Sequence, residues 1–437
     1  MISVVLIIPH TASGQIEYNG FIRNYNALQT VSPNDLLIGR NRLRLDLSHA
    51  FDRGEVVVSN DLQQLYSSSF DSLLYRLREA YVDLYLKKSD LRIGRQLVTW
   101  GRADGTFITD ILNPLDAREF LTQDLPDIKI GVTAFSITRY FGSNYLQLIA
   151  TPLFHASDTP APDDRWFPRS FFPQQQATRF INRSGDPEFG DFQLAGRWAF
   201  RSNINFDLDL LLNYWHYPTP AYGKSLDTGP AGSPVFVIRE QFDKGLMTGY
   251  SGSYRLTDRL ILQSEAAFYQ RRSFDYLPDN LRSIDFENPT PAEQALILQE
   301  FNQNTDGFLT EKPWAIAMIG LQTELLNWTL RTQLVNEHII DYREVILQQR
   351  NFPYATLWLQ RSFARDRWEM QGLARYNFEG KGFWFNPELA YSGRDNLKAE
   401  LGGQLFGGKS QEPFYGHLSF SEFASNSFLY FNLTFYF

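Results

Sequence analysis

The chain has 437 residues, 15% of them aromatic, with a formal net charge of −8 and no cysteine. That balance leaves no basic excess to cover a phosphate backbone, which argues against nucleic-acid binding, and the missing cysteine excludes thiol chemistry, disulfides and Cys-based zinc sites. A mean hydropathy of −0.32 beside so many aromatics fits strands on which apolar and polar side chains alternate, one face toward lipid and the other toward water; helical spans of about 20 apolar residues do not produce it.

At the N-terminus, Ile2 to Ile8 is an apolar run too short for a helical span, and Ala12-Ser13-Gly14 after it resembles the end of a secretory signal cleaved before Gln15. Residues 1–14 are therefore read as a signal-peptide remnant and 15–437 as one barrel domain. The basic start expected of a signal is missing, and the alternative is a buried first strand. Further on, Arg40, Arg42, Arg44 and Asp46 share one face of the second strand, with Leu43, Leu45 and Leu47 opposite. Arginines facing lipid would cost about 2–4 kcal/mol each at mid-depth, so the basic row is assigned to a wet lumen. Glu79, Tyr81, Asp83 and Tyr85 alternate in the same way against Ala80, Val82, Leu84 and Leu86.

The densest segment follows the fifth strand. Gly94-Arg95-Gln96 leads through Trp100-Gly101-Arg102-Ala103-Asp104-Gly105 to Asp110, Asn113-Pro114, Asp116 and Arg118-Glu119. By count this is the third outside loop. In general porins that loop folds inward and narrows the pore, and this segment resembles it in position. Asp104-Gly105 and Asn113-Pro114 are turn formers, and Asp104, Asp110, Asp116, Arg118 and Glu119 supply charge. The patterns G-R-Q-x-x-x-W-G-x-A-D-G and D-x-x-N-P-x-D-x-R-E are similar to an uncharacterised group of proteobacterial outer-membrane proteins, and more distantly to alginate-export-type barrels. The resemblance covers roughly 30 residues and implies an outer-membrane barrel, with a link to export systems as a second implication. Locally, Trp100 also reads as a membrane-interface aromatic and Asn113-Pro114 as a plain turn.

A proline- and aromatic-rich loop follows, with Pro160, Pro162, Trp166, Phe167, Pro168, Phe171, Phe172 and Pro173; it is a docking patch or, more commonly, packs on another loop. Between Asn203 and His216, Asn205, Asp207, Asp209, Leu211 and Asn213 oppose Phe206, Leu208, Leu210, Leu212 and Tyr214. In the next hairpin, Gln263, Glu265 and Ala267 oppose Leu262, Ser264, Ala266 and Phe268 less cleanly. Pro291 to Phe301 has helical composition with a proline start. Arg331, Gln333 and Glu337 share a face, as do Glu369, Gln371 and Arg375. The chain ends on Leu429, Phe431, Leu433, Phe435 and Phe437 against Phe428, Tyr430, Asn432, Thr434 and Tyr436, resembling the terminal strand that barrels present to their assembly machinery.

Tight polar connections such as Asp52-Arg53-Gly54, Lys87-Lys88-Ser89-Asp90 and Thr257-Asp258-Arg259 alternate with long ones at residues 101–127, 155–190, 218–243, 273–312 and 408–424. The expectation is an all-β, antiparallel, up-and-down transmembrane barrel of about 18 strands. A merged or split pair near Val235 to Gln241 would make it 16 or 20. The expected function is an outer-membrane channel for small polar, charged or amphiphilic solutes, with Arg40, Arg42 and Arg44 facing the loop acids and with Asp104, Asp110, Asp116, Arg118, Glu119, Arg331 and Arg375 also at the pore or constriction. Two readings of these charges stand open: a transverse field that selects solutes, or pairs that hold the wall. The functional alternatives are an exporter component with a periplasmic or inner-membrane partner, and a structural or adhesive barrel. Expected partners are outer-membrane lipid and lipopolysaccharide, the assembly machinery through Phe437, and a small solute, with a homo-oligomer open. Six scattered histidines without H-x-x-x-H or H-E-x-x-H spacing and the absence of G-x-S-x-G give no metal, cofactor or enzyme reading.

Overall fold

The structure, a computed structural model, describes residues 16–31, 35–67, 70–119, 122–123, 125–167, 178–181, 188–202, 205–228, 234–285, 288–409 and 420–437. The leader reading of residues 1–14, and Pro168, Phe171, Phe172 and Pro173 of the aromatic loop, lie outside these.

The first five strands are β1 (Ile16–Gln29), β2 (Leu36–Phe51), β3 (Gly54–Ser67), β4 (Phe70–Leu86) and β5 (Ser89–Gln96). After a one-turn helix α1 (Leu125–Ile128) come β6 (Val132–Phe141), β7 (Asn144–Phe154), the short β8 (Thr178–Ile181), β9 (Glu188–Arg201) and β10 (Phe206–His216). Next are β11 (Ala221–Thr228), β12 (Pro234–Gln241), β13 (Lys244–Thr257), β14 (Leu260–Asp275) and helix α2 (Pro291–Gln303). The last seven are β15 (Leu309–Leu325), β16 (Trp328–Ile339), β17 (Asn351–Phe363), β18 (Trp368–Asn377), β19 (Phe383–Arg394), β20 (Leu397–Gly407) and β21 (Phe428–Tyr436).

Eighteen of these strands form one antiparallel sheet that closes on itself, because β1 pairs both with β2 and with β21, from Phe21 opposite Tyr436 to Gln29 opposite Phe428. No edge is left unpaired, which is what lets a sheet sit in lipid. No helix among the described residues is long and apolar enough to cross a membrane; the crossing is by strands. The segment near Val235 to Gln241, which left the strand count open, is β12, and it belongs to a separate three-stranded sheet with β8 and β11. That small sheet packs Leu226 and Phe236 against Ile297 and Phe301 of α2, on the side of the long loops. Thr290 and Glu293 form the capping box that starts α2 at Pro291.

The two-residue period sets inside and outside as expected. On β10, Leu212 is 56% exposed on the outer wall while Asn213 is fully buried on the inner one. On β21, Leu429, Phe431, Leu433 and Phe435 face out and Phe428, Tyr430, Asn432 and Thr434 face in. The turns opposite the long loops are tight: Leu326 and Asn327 both take positive φ, 52° and 64°, the conformation a two-residue hairpin needs to match strand twist. By the rule that short turns face the periplasm, this end is periplasmic, and the start of β1 at Ile16 and the end of β21 at Tyr436 lie near it.

Candidate functional site

The segment between β5 and β6, residues 97–131, turns into the barrel. Val98, Trp100, Ile108, Ile111 and Leu112 pack against the inner-wall residues Ile149, Leu211, Trp215, Met247, Ile316, Met318 and Val335. Each side chain of this kind buried from water contributes roughly 1.5–3 kcal/mol, so the loop is held first by apolar contact. Trp100 is only 2% exposed, and its ring N–H donates to Gln147 at 3.1 Å; it is a core residue of the inserted loop and not a membrane-interface aromatic. Asn113 is likewise more than a turn former, because its amide joins the loop's two ends, accepting from Val98 N at 2.9 Å and donating to Ile130 O at 2.8 Å.

Polar latches fix the first limb. Glu265 on β14 accepts from the backbone amides of Arg102 and Thr109 and from the Thr109 hydroxyl. Gly101, at φ +90°, makes room for this: a Cβ there would stand 2.6 Å from a Glu265 carboxylate oxygen. Farther along, Gln333 accepts from Asp104 N at 2.8 Å, Arg331 pairs with the Asp104 carboxylate at 2.8 Å, and the Thr106 and Tyr354 hydroxyls lie 2.9 Å apart. Asp110 accepts from Trp100 N and pairs with Lys129, so the carboxylate binds both limbs. Burial raises Asp104 and Asp110 above the usual carboxylate range, against the pull of Arg331 and Lys129.

The return limb meets the basic row. Arg40 pairs with Glu119. Arg42 and Arg44 both bind Asp127, at 2.6 and 2.9 Å, and both bind Asp61 of β3, at 3.1 and 2.9 Å. Arg78 and Arg23 reach Asp127 at 3.5 and 3.6 Å. Arg42, Arg44 and Arg78 thus share two carboxylates, leaving positive charge in excess. Burial alone would raise the Asp127 carboxyl, but the charges of these three arginines outweigh it and hold the group well below the usual range. Asp116 is held at about 2 in the same way, with Arg118 and Arg76 overcoming its burial. Arg375 stands apart from these pairs. Its Nε donates to Asn377 at 3.1 Å and its guanidinium lies 3.8 Å over the Tyr354 ring; Glu337 of β16 shares its field, though no carboxylate among the described residues lies within 4 Å of it.

Of the arginines and loop acids singled out in the sequence, the structure brings Arg40 onto Glu119 and Arg331 onto Asp104, whereas Arg42 and Arg44 meet Asp127 and Asp61, Asp110 meets Lys129, and Asp116 meets Arg118 and Arg76. Sequence reasoning missed Asp127, Asp61, Glu265 as a latch, Lys129, and Arg76 and Arg78. Asp61 was findable, since it stands opposite Arg44 in the strand register. Between the two limbs lies a partly open cavity of about 200 Å³, lined by Leu97, Trp100, Ala103, Phe107, Pro126 and Lys129 among others. Near the mouth, Trp166 inserts against Phe406, Phe423 and Phe428, with Trp384 and Phe420 in the same cluster. Of the aromatic loop's two readings, Trp166 and Phe167 fit packing on other loops, Phe167 meeting Ile238 and Phe180.

The family model described as "Protein of unknown function (DUF1302)" matches residues 46–412. The chain belongs to the DUF1302 family. That agrees with the resemblance carried by Gly94 to Glu119. Among solved structures, the DUF1302 barrel is similar to OccK8 (OprE) of Pseudomonas aeruginosa, with a TM-score of 0.53 at 8% identity over 97% of this chain and 98% of the other. It is similar to OccAB2 of Acinetobacter baumannii, with a TM-score of 0.52 at 8% identity over 97% and 98%. A structure described as the outer membrane protein opdK of Pseudomonas aeruginosa gives 0.50 at 9% identity over 97% and 98%. At such identities the likeness is one of fold. No curated protein matches the DUF1302 sequence.

Proposed function

We propose that the chain is a channel of the bacterial outer membrane, passing small polar or charged solutes through a lumen narrowed by the third loop. The observation that carries this reading is the loop itself: residues 97–131 enter a closed 18-stranded barrel and bring Asp104, Asp116, Glu119 and Asp127 onto lumen arginines. Fixed charges at a constriction set which ions and dipoles enter. The excess of guanidinium over carboxylate around Asp127, together with Arg375, favours anions, and the apolar walls of the cavity beside Lys129 accommodate a solute with an apolar portion.

Reconstitution into planar bilayers and into liposomes for solute-swelling assays tests this. Discrete current steps with anion preference support it, whereas a folded barrel that passes neither ions nor small solutes contradicts it.

A second reading has its own observation. The loop is latched at Glu265, Arg331 and Asp127, and Trp166, Phe420 and Phe423 form a further inserted cluster. A barrel closed by two insertions would open when a partner displaces them, as an exporter component requires. Current that appears only when a periplasmic partner is added would favour this reading over the first.

A further inference from the structure

At the tight-turn end of the barrel, the β4–β5 and β6–β7 turns border a groove lined by Leu86, Lys87, Lys88, Arg139, Tyr140 and Phe141. The register puts Arg139 on the lipid-facing side. It lies on the β6 row that carries Phe135, 44% exposed, and ends at Phe141, 49% exposed; its cross-strand partners are Ser89 and Leu146. Phe141 stacks on Trp198 with centroids 5.4 Å apart, and Trp198 in turn meets Phe200 at 5.8 Å. Such a cluster of outward aromatics marks the membrane–water boundary.

Cationic side chains at that level need an anion or water for their heads. Lys87, Lys88 and Arg139 are all exposed, and none has a carboxylate among the described residues within 4 Å. Among those residues Arg139 donates only to the Ser89 hydroxyl, at 3.0 Å. The acid on this rim, Asp90, instead accepts from the Tyr140 hydroxyl at 2.6 Å. Three uncompensated cations thus flank apolar side chains that meet lipid.

We propose that this groove binds the phosphate headgroup of an anionic phospholipid in the periplasmic leaflet. Lys87, Lys88 and Arg139 hold the phosphate, and Leu86 and Phe141 lie along the start of the acyl chains. The charge complementarity and the lipid-facing register select a membrane lipid over a soluble anion. The assignment rests on the reading of the chain as an outer-membrane barrel with its tight turns in the periplasm. Each cation near an anionic lipid surface is worth about fivefold in affinity.

The test is native mass spectrometry of the full chain, refolded in detergent and titrated with phosphatidylglycerol or, separately, zwitterionic phosphatidylethanolamine. Heat-modifiable gel mobility reports whether each protein is a folded barrel. The wild type should retain phosphatidylglycerol in preference to phosphatidylethanolamine. The Lys87→Gln/Lys88→Gln/Arg139→Gln variant should hold phosphatidylglycerol at least about tenfold more weakly, and Arg139→Gln alone should weaken it severalfold should the triple variant fail to fold. An Arg365→Gln/Arg367→Gln control on the β17–β18 turn should match the wild type. Equal retention of phosphatidylglycerol by the triple variant and the wild type overturns the proposal. Displacement of the lipid by millimolar inorganic phosphate overturns it in favour of a free-phosphate site. A wild-type chain that never gives a heat-modifiable barrel refutes the outer-membrane reading itself.

Discussion

Asp127, on the one-turn helix of the third loop, binds Arg42 on β2 through a 2.6 Å contact, although 85 positions separate them in sequence. Both side chains are almost fully buried. Buried ion pairs add little when compared with a well-packed apolar core, but removing one partner is costly because the other charge is left stranded.

Asp127→Ala should therefore destabilise the docked loop by about 3–5 kcal/mol, since Arg42, Arg44 and Arg78 would lose their shared counter-ion. The barrel strands do not depend on this contact and should persist. Limited proteolysis of the refolded protein checks it: new cleavage within residues 97–131 in the variant, with unchanged heat-modifiable mobility, is the expected result.

Glu265→Gln should loosen the first limb, because Arg102 N and Thr109 N bond to different carboxylate oxygens, and the one amide oxygen can accept from only one of them while the amide NH2 faces the other donor. Hydrogen bonds to a charged group are worth about 1.5–3 kcal/mol against about 1 for neutral ones. Single-channel recordings should show larger or noisier conductance steps than the wild type. Gly101→Ala should act in the same direction, as its new methyl would collide with the Glu265 carboxylate.

The pH dependence follows from the depressed carboxyls. Asp116 lies at about 2 and Asp127 is also held well below the usual range, whereas a free aspartate titrates near ~4. A group depressed on folding stabilises the docked loop fully above the free value and stops doing so as pH falls through the docked one. Conductance should rise as pH drops below about 4, where Asp116 and Asp127 begin to lose their charge, and not before, because the raised Asp104 and Asp110 favour docking as they take up protons. Loop release already at pH 6 would show that these pairs do not govern docking.

Most of the barrel is legible in the sequence because its signal is local. Alternation on β2, β10 and β21 suffices to put Arg42, Asp209 and Asn432 inside, whereas the pairing of β1 with β21 is seen only in the structure. The inserted loop is legible in place but not in contact. Leu211, Met247, Ile316 and Met318 are apolar and yet face inward, so on β15 both faces read as greasy, and only the Trp100–Leu112 segment explains why. Asp127 escapes notice because nothing near it in sequence marks its partners, which lie on β1, β2 and β4. Likewise β12 falls in the long connection at residues 218–243, where the sequence leaves the strand count open; its pairing with β11 and β8 is a tertiary outcome that periodicity does not encode.

Arg375 supplies a selectivity prediction separate from loop stability. It has no carboxylate within 4 Å among the described residues, although Glu337 draws on its charge, so it can meet a passing anion more readily than Arg42, which Asp127 holds at 2.6 Å. Arg375→Gln should shift the reversal potential in a salt gradient toward cation preference, by about twofold to fivefold in permeability ratio, in keeping with the ~1 kcal/mol scale of a screened contact. Arg42→Gln should instead behave like a loop-release variant.

The most direct measurement uses the natural absence of cysteine. Ala103 lines the cavity between the two limbs, and an Ala103→Cys protein in a planar bilayer can be treated with a bulky, charged, membrane-impermeant thiol reagent during recording. If the third loop frames the solute path, the current through an open channel falls on modification and recovers on reduction, while the cysteine-free parent is unaffected. Undiminished current from fully modified protein would place the path elsewhere and contradict the assignment of residues 97–131 to the constriction.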